Sequence, residues 1–213
     1  MARNPHSPID DEMPPNGPTS GATNGNADLE PPLLLIAMPQ VMDPFFNHSV
    51  VLLIEHHDDG SLGFIVNRPT GVPILEILEG MKIDWQGEGE EKAHFGGPVQ
   101  PQIGTVLYQT ESTEDEVYPG VTLTQNVSDL KDLAESPPGK IRLYLGYAGW
   151  GPGQLMTEIQ RNDWLMAPVN DELIFPQSDE DLDPAEVWRA ALESVGVDPV
   201  RLPSWTSTDD PVN

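Results

Sequence analysis

The chain of 213 residues contains no cysteine. This absence excludes disulfide bonds, zinc sites built from thiolates and cysteine nucleophiles, and it fits a reducing compartment. A chain of this length buries about 70% of its unfolded surface, so neither a disulfide nor a metal ion is needed to hold the fold together. We therefore expect a cytoplasmic protein.

The sequence also lacks the apolar segments that direct proteins into or across membranes. Residues 1–18 are polar and broken by prolines, without the basic start and apolar stretch of a secretory signal. No apolar run approaches the roughly 18 residues that a membrane-spanning helix needs. The sequence thus predicts a protein that is not exported and has no membrane partner.

Basic residues are scarce. Ten Lys and Arg residues face 35 Asp and Glu residues, which gives a net charge of -25 at pH 7. The imbalance is not confined to the N-terminus, because residues 32–213 alone hold 30 acids and 9 bases, a charge of -21. So negative a surface repels phosphate backbones, and we expect no nucleic-acid partner. Its simplest interpretation is solubility, with a high-salt cell interior or a basic partner as the alternatives.

No motif for a cofactor, a metal ion or a nucleophile is complete, so none of these is predicted. Glycines recur in residues 149–153 after a predicted strand, but Met156 stands where a dinucleotide fingerprint needs a small residue. His56 and His57 are adjacent on a strand and point to opposite faces, so they are not expected to share an ion. Ser49 lacks the flanking glycines of a nucleophile elbow.

The stretch from Leu33 to Thr70 holds three apolar runs and predicts the centre of a β-sheet. Leu33–Ala37 is typical of a short buried strand, and Ser49–Glu55 is apolar almost throughout, as in a strand covered on both faces. Asp58-Asp59-Gly60 supplies turn residues, so residues 62–67 are expected to return as the second strand of a hairpin.

Helices and further strands alternate irregularly after this hairpin. Helical patterns cover residues 74–80, 126–136, 154–162 and 183–195, and the last begins with Asp183 as cap and Pro184 at the first helical position. Extended segments are predicted at residues 104–109, 117–123, 140–146, 164–168 and 172–175, with a sharp turn at residues 147–153. The pattern predicts an α+β fold, a single domain with a mixed, mostly antiparallel β-sheet and flanking helices.

Residues 1–30 have almost no large apolar side chains and are predicted to be a disordered tail, whereas residues 199–213 are predicted to be a loose acidic extension.

Polar side chains interrupt the apolar segments at strand ends, and we expect them to gather beside an aromatic turn. The candidate binding residues are Asp43, Asn47, His48, Asn67, Arg68, Tyr147, Trp150 and Gln154. A buried hydrogen-bond network that fixes the loops accounts for most of these polar residues equally well.

If these residues form a site, a binding or regulatory module would use it as a recognition surface for a protein or a small molecule. An enzyme would instead need His48, Asp43 or Arg68 to have a perturbed pKa in a cleft. If these residues meet, we expect Arg68 to pair with Asp43, because a guanidinium in a partly apolar site needs a carboxylate or carbonyl oxygens as partners.

Several unusual sequence blocks, read in order, resemble the bacterial AlgH/YqgE family. They are Ala37-Met38-Pro39-Gln40, Asp43-Pro44, Ser49-Val50-Val51-Leu52, residues 63–69, Phe95-Gly96-Gly97-Pro98-Val99, residues 145–150 and Gly153-Gln154-Leu155. The resemblance covers residues 31–198. It implies a compact cytoplasmic α+β domain from a family that is itself largely uncharacterised, and it implies neither a cofactor nor a reaction.

Overall fold

The computed structural model describes residues 29–87, 91–112, 114–176 and 183–202. Most of the predicted N-terminal tail and C-terminal extension therefore lies outside the described residues. Leu29, near the end of the predicted tail, is only 8% exposed and belongs to the same core cluster as Leu35 and Val51. Among the described helices, none is both long enough and apolar enough to cross a membrane.

Ten β-strands lie within these residues. They are β1 Leu33–Ala37, β2 Val50–His57, β3 Gly60–Ile65, β4 Pro69–Pro73, β5 Lys92–Phe95, β6 Val99–Gln109, β7 Glu116–Tyr118, β8 Val121–Thr124, β9 Ile141–Trp150 and β10 Trp164–Ala167. Their order across the curled sheet is β10-β1-β2-β3-β9-β6-β8-β7, and β4 and β5 pair beside this path. Every pairing is antiparallel except the one between β5 and β9.

Five α-helices and one 3-10 turn complete the described fold. They are α1 Ile74–Gly80, α2 Val127–Glu135, α3 Gln154–Gln160, α4 Asp171–Ile174, α5 Pro184–Ser194 and the 3-10 turn Pro199–Arg201. The side chain of Asn126 caps α2. Asp183 caps α5 with Pro184 at its first turn, as the sequence predicts. The α+β class and the single domain are confirmed.

The predicted hairpin is present and sits in the middle of the sheet. β2 and β3 pair from Val51 opposite Ile65 to His57 opposite Gly60, with a turn at Asp58 and Asp59. The apolar first half of β2 is fully buried because β1 and β3 flank it and core clusters cover both faces. Its polar second half, from residue 55, projects towards solvent as the hairpin tip.

The predicted sharp turn at residues 147–153 is wrong in its first half, because β9 continues as a strand to Trp150. Gly146 adopts a left-handed φ of 70° there. The first part of β9 pairs with β6 and with β5, and the part after Gly146 pairs with β3. The left-handed backbone of Gly146 bends the strand at this point without ending it. The chain reverses only at residues 151–153.

One shorter prediction is correct only in part, and another is wrong. Residues 117–123, predicted to be one extended segment, are extended at residues 117–118 and 121–123, but Gly120 takes a φ of 78° and turns the chain between β7 and β8. Residues 172–175, predicted to be extended, form most of α4 and its end. The side chain of Asn170 accepts a hydrogen bond from the Glu172 N–H at 2.9 Å and starts this helix.

The buried stripe of α5 anchors the C-terminal part of the described chain to the sheet. Trp188, Ala191 and Leu192 are buried against a core cluster that includes Leu34 of β1. The indole nitrogen of Trp188 donates to the carbonyl oxygen of Ala37 at 2.7 Å. The apolar face of this helix therefore fixes α5 next to the loop between β1 and β2.

Candidate functional site

The predicted site residues do not gather into one site. Asn47, His48, Asn67 and Arg68 lie around the end of the loop before β2, next to α5. Asp43, Trp150 and Gln154 line a cavity, and Tyr147 lines a shallower depression adjoining it.

Asn67 holds the loop before β2 against both β2 and α5. It is completely buried, and its Oδ1 accepts a hydrogen bond from the Val50 N–H at 2.9 Å. Its Nδ2 donates to the carbonyl oxygens of His48 and Pro184, at 2.9 and 2.8 Å. These three bonds match the alternative of a buried network that fixes the loops.

The predicted ion pair between Arg68 and Asp43 is wrong. The half-buried Arg68 donates through Nη2 to the carbonyl oxygen of Asn47. The Asp43 carboxylate accepts hydrogen bonds from the backbone N–H groups of Phe45 and Phe46, at 2.8 and 3.2 Å. Each side chain thus finds a backbone partner within the loop, and the two side chains do not form an ion pair.

His48 lies over α5, and among the described residues no carboxylate forms an ion pair or a hydrogen bond with its ring. Its ring centroid is 4.3 Å from that of Trp188, and its backbone holds a left-handed φ of 52°. Burial lowers the pKa of His48, and the positive charges of Arg68 and Arg189 lower it further. Asp43 lines the cavity described next, which His48 and Arg68 do not line. The acid–base grouping that an enzyme would need from these residues is therefore not formed there.

A cavity of about 310 Å³ separates the loop before β2 from α3. It is lined by Gln40, Val41, Met42, Asp43, Phe46, Gly149, Trp150, Gln154, Glu158, Arg161, Asp163 and Trp164. We call it the acidic cavity, because Asp43, Glu158 and Asp163 are carboxylates whereas Arg161 is the only cation in its lining. Arg161 forms an ion pair with Asp163, which raises the pKa of Arg161.

Glu158 is the side chain around which this cavity is organised. Its Oε2 accepts hydrogen bonds from the indole nitrogens of Trp150 at 2.9 Å and Trp164 at 2.8 Å. Its Oε1 accepts from Nε2 of Gln154 at 2.9 Å, one helical turn away. The Oε1 of Gln154 accepts in turn from the Gly151 N–H at 3.1 Å. The hydrogen bonds of the carboxylate thus come from neutral donors, and the positive charge that acts on it is that of Arg161, which is itself paired with Asp163.

Three aromatic rings form a rigid support behind Glu158. The centroids of Trp150 and Trp164 are 5.8 Å apart in an edge-on arrangement. Phe46 lies 6.1 Å from the first ring and 5.8 Å from the second. Both indoles are 5% exposed, so their N–H groups are positioned by packing before any ligand arrives.

The sequence did not single out Glu158, Trp164 or Phe46. A usable signal was present, because residues 154 and 158 are one turn apart on α3 and tryptophans stand just before and just after that helix. Tryptophans that flank a helix reach back towards its middle only if both neighbouring strands run beside it. That arrangement depends on β9 and β10, whose places in the sheet local patterns do not reveal.

A second depression, of about 580 Å³, adjoins the acidic cavity through Gly149 and Trp150. It is lined by Tyr147 and by the tip of the β2–β3 hairpin, including Glu55 and His57. Within the described residues, no three His, Asp or Glu side chains come together as a metal site.

Comparisons with known proteins identify a family. A model of the AlgH-like family matches residues 34–200. A UPF0301 protein of Myxococcus xanthus is 39% identical over 174 residues, which cover 80% of this chain and 93% of that protein. A UPF0301 protein of Paracoccus denitrificans is 40% identical over 178 residues, which cover 79% of this chain and 91% of that protein.

Solved structures share the fold. The solution structure of the AlgH protein from Pseudomonas aeruginosa matches with a TM-score of 0.62 at 34% identity, over 78% of this chain and 88% of that one. A crystal structure of protein DIP2367 from Corynebacterium diphtheriae matches with a TM-score of 0.64 at 20% identity, over 84% of this chain and 92% of that one. Since the family model and these relatives span most of its length, the chain belongs to the AlgH-like family.

Proposed function

We propose that this protein is a cytoplasmic binding module that recognises a positively charged group, an ammonium or a guanidinium, in the acidic cavity. The observation that carries the proposal is the Glu158 carboxylate held by Trp150, Trp164 and Gln154. All three donors are neutral, so the oxygen atoms are oriented while the charge remains available to a ligand. Preorganised charge of this kind favours binding because the site loses little conformational entropy when the ligand binds.

The other groups that line the cavity suit the same ligand. Asp43 adds a second carboxylate, which is exposed. Its hydrogen bonds to the loop engage only Oδ1. Met42 is 58% exposed at the cavity and offers apolar contact for the aliphatic stem of a lysine, an arginine or a polyamine. The cavity volume of about 310 Å³ admits such a group.

The overall charge supports the same conclusion. A net charge of -25 attracts cations over long distances and raises their concentration near the surface. The acidity that composition alone assigns to solubility then has a second use, because it steers a basic ligand towards the cavity. This contribution is electrostatic and must weaken as salt is added.

The experiment is a calorimetric titration with arginine amide, with spermidine and with acetamide as a neutral control. Asp43→Asn is the informative variant, because an asparagine Oδ1 accepts the same loop hydrogen bonds while the charge is lost. Asp132→Asn is the matched control, since it removes one exposed carboxylate from α2, outside the cavity.

We expect the two cations, and not acetamide, to bind the wild-type protein, and binding to weaken in the Asp43→Asn variant alone. Arginine amide and spermidine then distinguish a guanidinium ligand from a polyamine. Equal affinity in the Asp43→Asn and Asp132→Asn variants would mean that the cations bind only through the general negative charge, and the proposal would be wrong.

A further inference from the structure

A separate cavity of about 260 Å³ lies between α1 and α2, over the face of β6 and β9 that these helices cover. Val106 of β6 and Leu143 of β9 are buried at its base. Ile77 of α1 and Leu130 of α2 line its sides and pack against the same core cluster. It shares no lining residue with the acidic cavity. We call it the apolar cavity, because aliphatic side chains make up most of its lining.

The backbone itself leaves this space open. The loop after α1 is tied to the C-terminal end of α2, where the Gln86 N–H donates to the carbonyl oxygen of Ala134 at 2.9 Å. The cavity lies at the opposite end of α2, beside Val127. There the pairing of β6 with β9 is irregular between Val99 and Gly104, and Gly104 lines the cavity without a side chain to fill it. The cavity is therefore formed before any ligand binds.

The lining of the apolar cavity carries no charge. None of the described residues that line it is charged, although Asp, Glu, Lys and Arg make up 21% of the chain. The hydroxyl of Thr124 donates to the Asp129 carboxylate at 2.7 Å and accepts from the Asn126 N–H at 3.0 Å. Nε2 of Gln125 donates to Oγ1 of Thr105 at 2.8 Å. An ion would lose hydration in this cavity without meeting an opposite charge in its lining, so the lining favours a neutral ligand.

Large apolar side chains are exposed where the two helices meet the cavity. Met81, at the end of α1, is 43% exposed, and Val127, at the start of α2, is 49% exposed. A ligand that fills the cavity removes apolar surface of both side chains from water. Among the described residues, none donates a hydrogen bond to Oε1 of Gln125. This oxygen is a neutral acceptor that remains for a ligand.

We propose that the apolar cavity binds a neutral, mainly aliphatic small molecule that carries one hydroxyl or amide group. An apolar cavity of about 150 Å³ can hold benzene, so one of about 260 Å³ admits a chain or ring of roughly eight to ten carbons. The hydroxyl or amide N–H donates to Oε1 of Gln125 while the apolar part lies between α1 and α2. The net charge of -25 repels an anion, so a fatty acid of the same length binds more weakly.

Methyl NMR on the full chain, labelled at the methionine methyl groups, tests both binding and its place. Octanol, octanoate and butanol are added in separate titrations. The methyl signal of Met81 should shift along a saturation curve with octanol, and the affinities for octanoate and for butanol should be lower by about tenfold or more. Met42, exposed at the acidic cavity, and Met166, exposed on β10, serve as internal controls and should keep their positions.

Val127→Glu is the main variant. Val127 is exposed, and an acidic residue in the first turn of a helix is favourable, so the fold is kept. The new charge beside the cavity should weaken octanol binding by about tenfold or more. Val200→Glu makes the same change at an exposed valine outside the cavity and should leave the affinity unchanged.

Three results would overturn the proposal on the ligand. They are equal affinities for octanol and octanoate, parallel shifts of Met42, Met81 and Met166, and unchanged octanol binding in the Val127→Glu variant. A Met81 signal that changes on dilution before any ligand is added would show that a second copy of the chain covers the cavity, and it would overturn the proposal as well.

Discussion

Trp150 and Trp164 donate their indole N–H groups to the same oxygen of Glu158, at 2.9 and 2.8 Å. The first tryptophan ends β9 and the second begins β10, so one carboxylate on α3 joins two strands that are distant in the order of the sheet. The carboxylate's hydrogen bonds come from neutral donors, so the proposed recognition of a cation would use the same contacts that secure the fold.

The double role of Glu158 predicts a loss of stability when it is truncated. Glu158→Ala leaves two indole N–H groups without an acceptor in a site where the rings are 5% exposed. Each such group costs about 1–3 kcal/mol, so we expect the free energy of unfolding to fall by roughly 2–6 kcal/mol. Urea denaturation followed by tryptophan fluorescence measures it. Glu193→Ala, on the exposed part of α5, is the control, and equal stability of the two variants would contradict this role.

Asn67→Ala should be more damaging than the loss of an ordinary helix cap. It removes three hydrogen bonds that join the loop before β2, β2 itself and α5. We expect a loss of about 3 kcal/mol or more, because the backbone groups left behind are buried. Asn126→Ala, which removes only the cap of α2, should cost about 1 kcal/mol. Thermal and chemical unfolding compare the two variants, and similar losses would refute the account of Asn67.

Two glycines with nearly equal backbone angles should respond very differently to alanine. Gly146 and Gly153 have φ values of 70° and 68°. A Cβ at Gly146 would lie 2.5 Å from the carbonyl oxygen of Gly97, whereas nothing lies within 4 Å of one at Gly153. Gly153→Ala should lower the free energy of unfolding by about 1–2 kcal/mol, which is the cost of placing an alanine in the left-handed region. Gly146→Ala should cost more than about 4 kcal/mol or prevent folding. Equal melting temperatures for the two variants would contradict the bend in β9.

His48 should make the folded state less stable in mild acid. Its folded-state pKa lies below the ordinary value of 6.5 because of burial and the two arginines. The unfolded chain therefore binds more protons in this range, so the contribution of His48 is complete above pH 6.5 and is lost as the pH falls towards the folded-state pKa. His48→Asn removes this dependence, since asparagine tolerates the left-handed backbone. The difference in unfolding free energy between wild type and variant should shift in favour of the variant as the pH falls from neutral to mildly acidic, and a constant difference would contradict the prediction.

Much of the fold follows from local patterns. The β2–β3 hairpin, the caps at Asn126 and Asp183 and the buried stripe of α5 depend on side-chain periodicity and on residues that satisfy the backbone nearby. Such signals involve residues that are close in the chain, so they can be recognised from the sequence. The prediction ends β9 too early. A glycine inside a strand cannot be distinguished from a glycine in a turn by sequence until the neighbouring strand is known.

The candidate site was predictable only in part. Asp43, Trp150 and Gln154 were identified because polar and aromatic residues at strand ends stood out, and they do line one cavity. Arg68 was assigned to the wrong partner because backbone carbonyl groups compete with carboxylates for arginine, and the sequence does not reveal which lies nearer. Glu158 was missed because its partners come from β9 and β10, and their meeting is a property of the sheet.

The most direct test of the central claim uses the indole N–H groups that hold Glu158 as reporters. Proton–nitrogen correlation spectra are recorded while arginine amide is added to the full chain. The account predicts that the indole signals of Trp150 and Trp164 shift with a common saturation curve, and that the indole of Trp188, which donates to the Ala37 carbonyl, stays in place. Saturable shifts that leave Trp150 and Trp164 unmoved, or uniform small shifts of every indole, would contradict recognition of a cation in the acidic cavity.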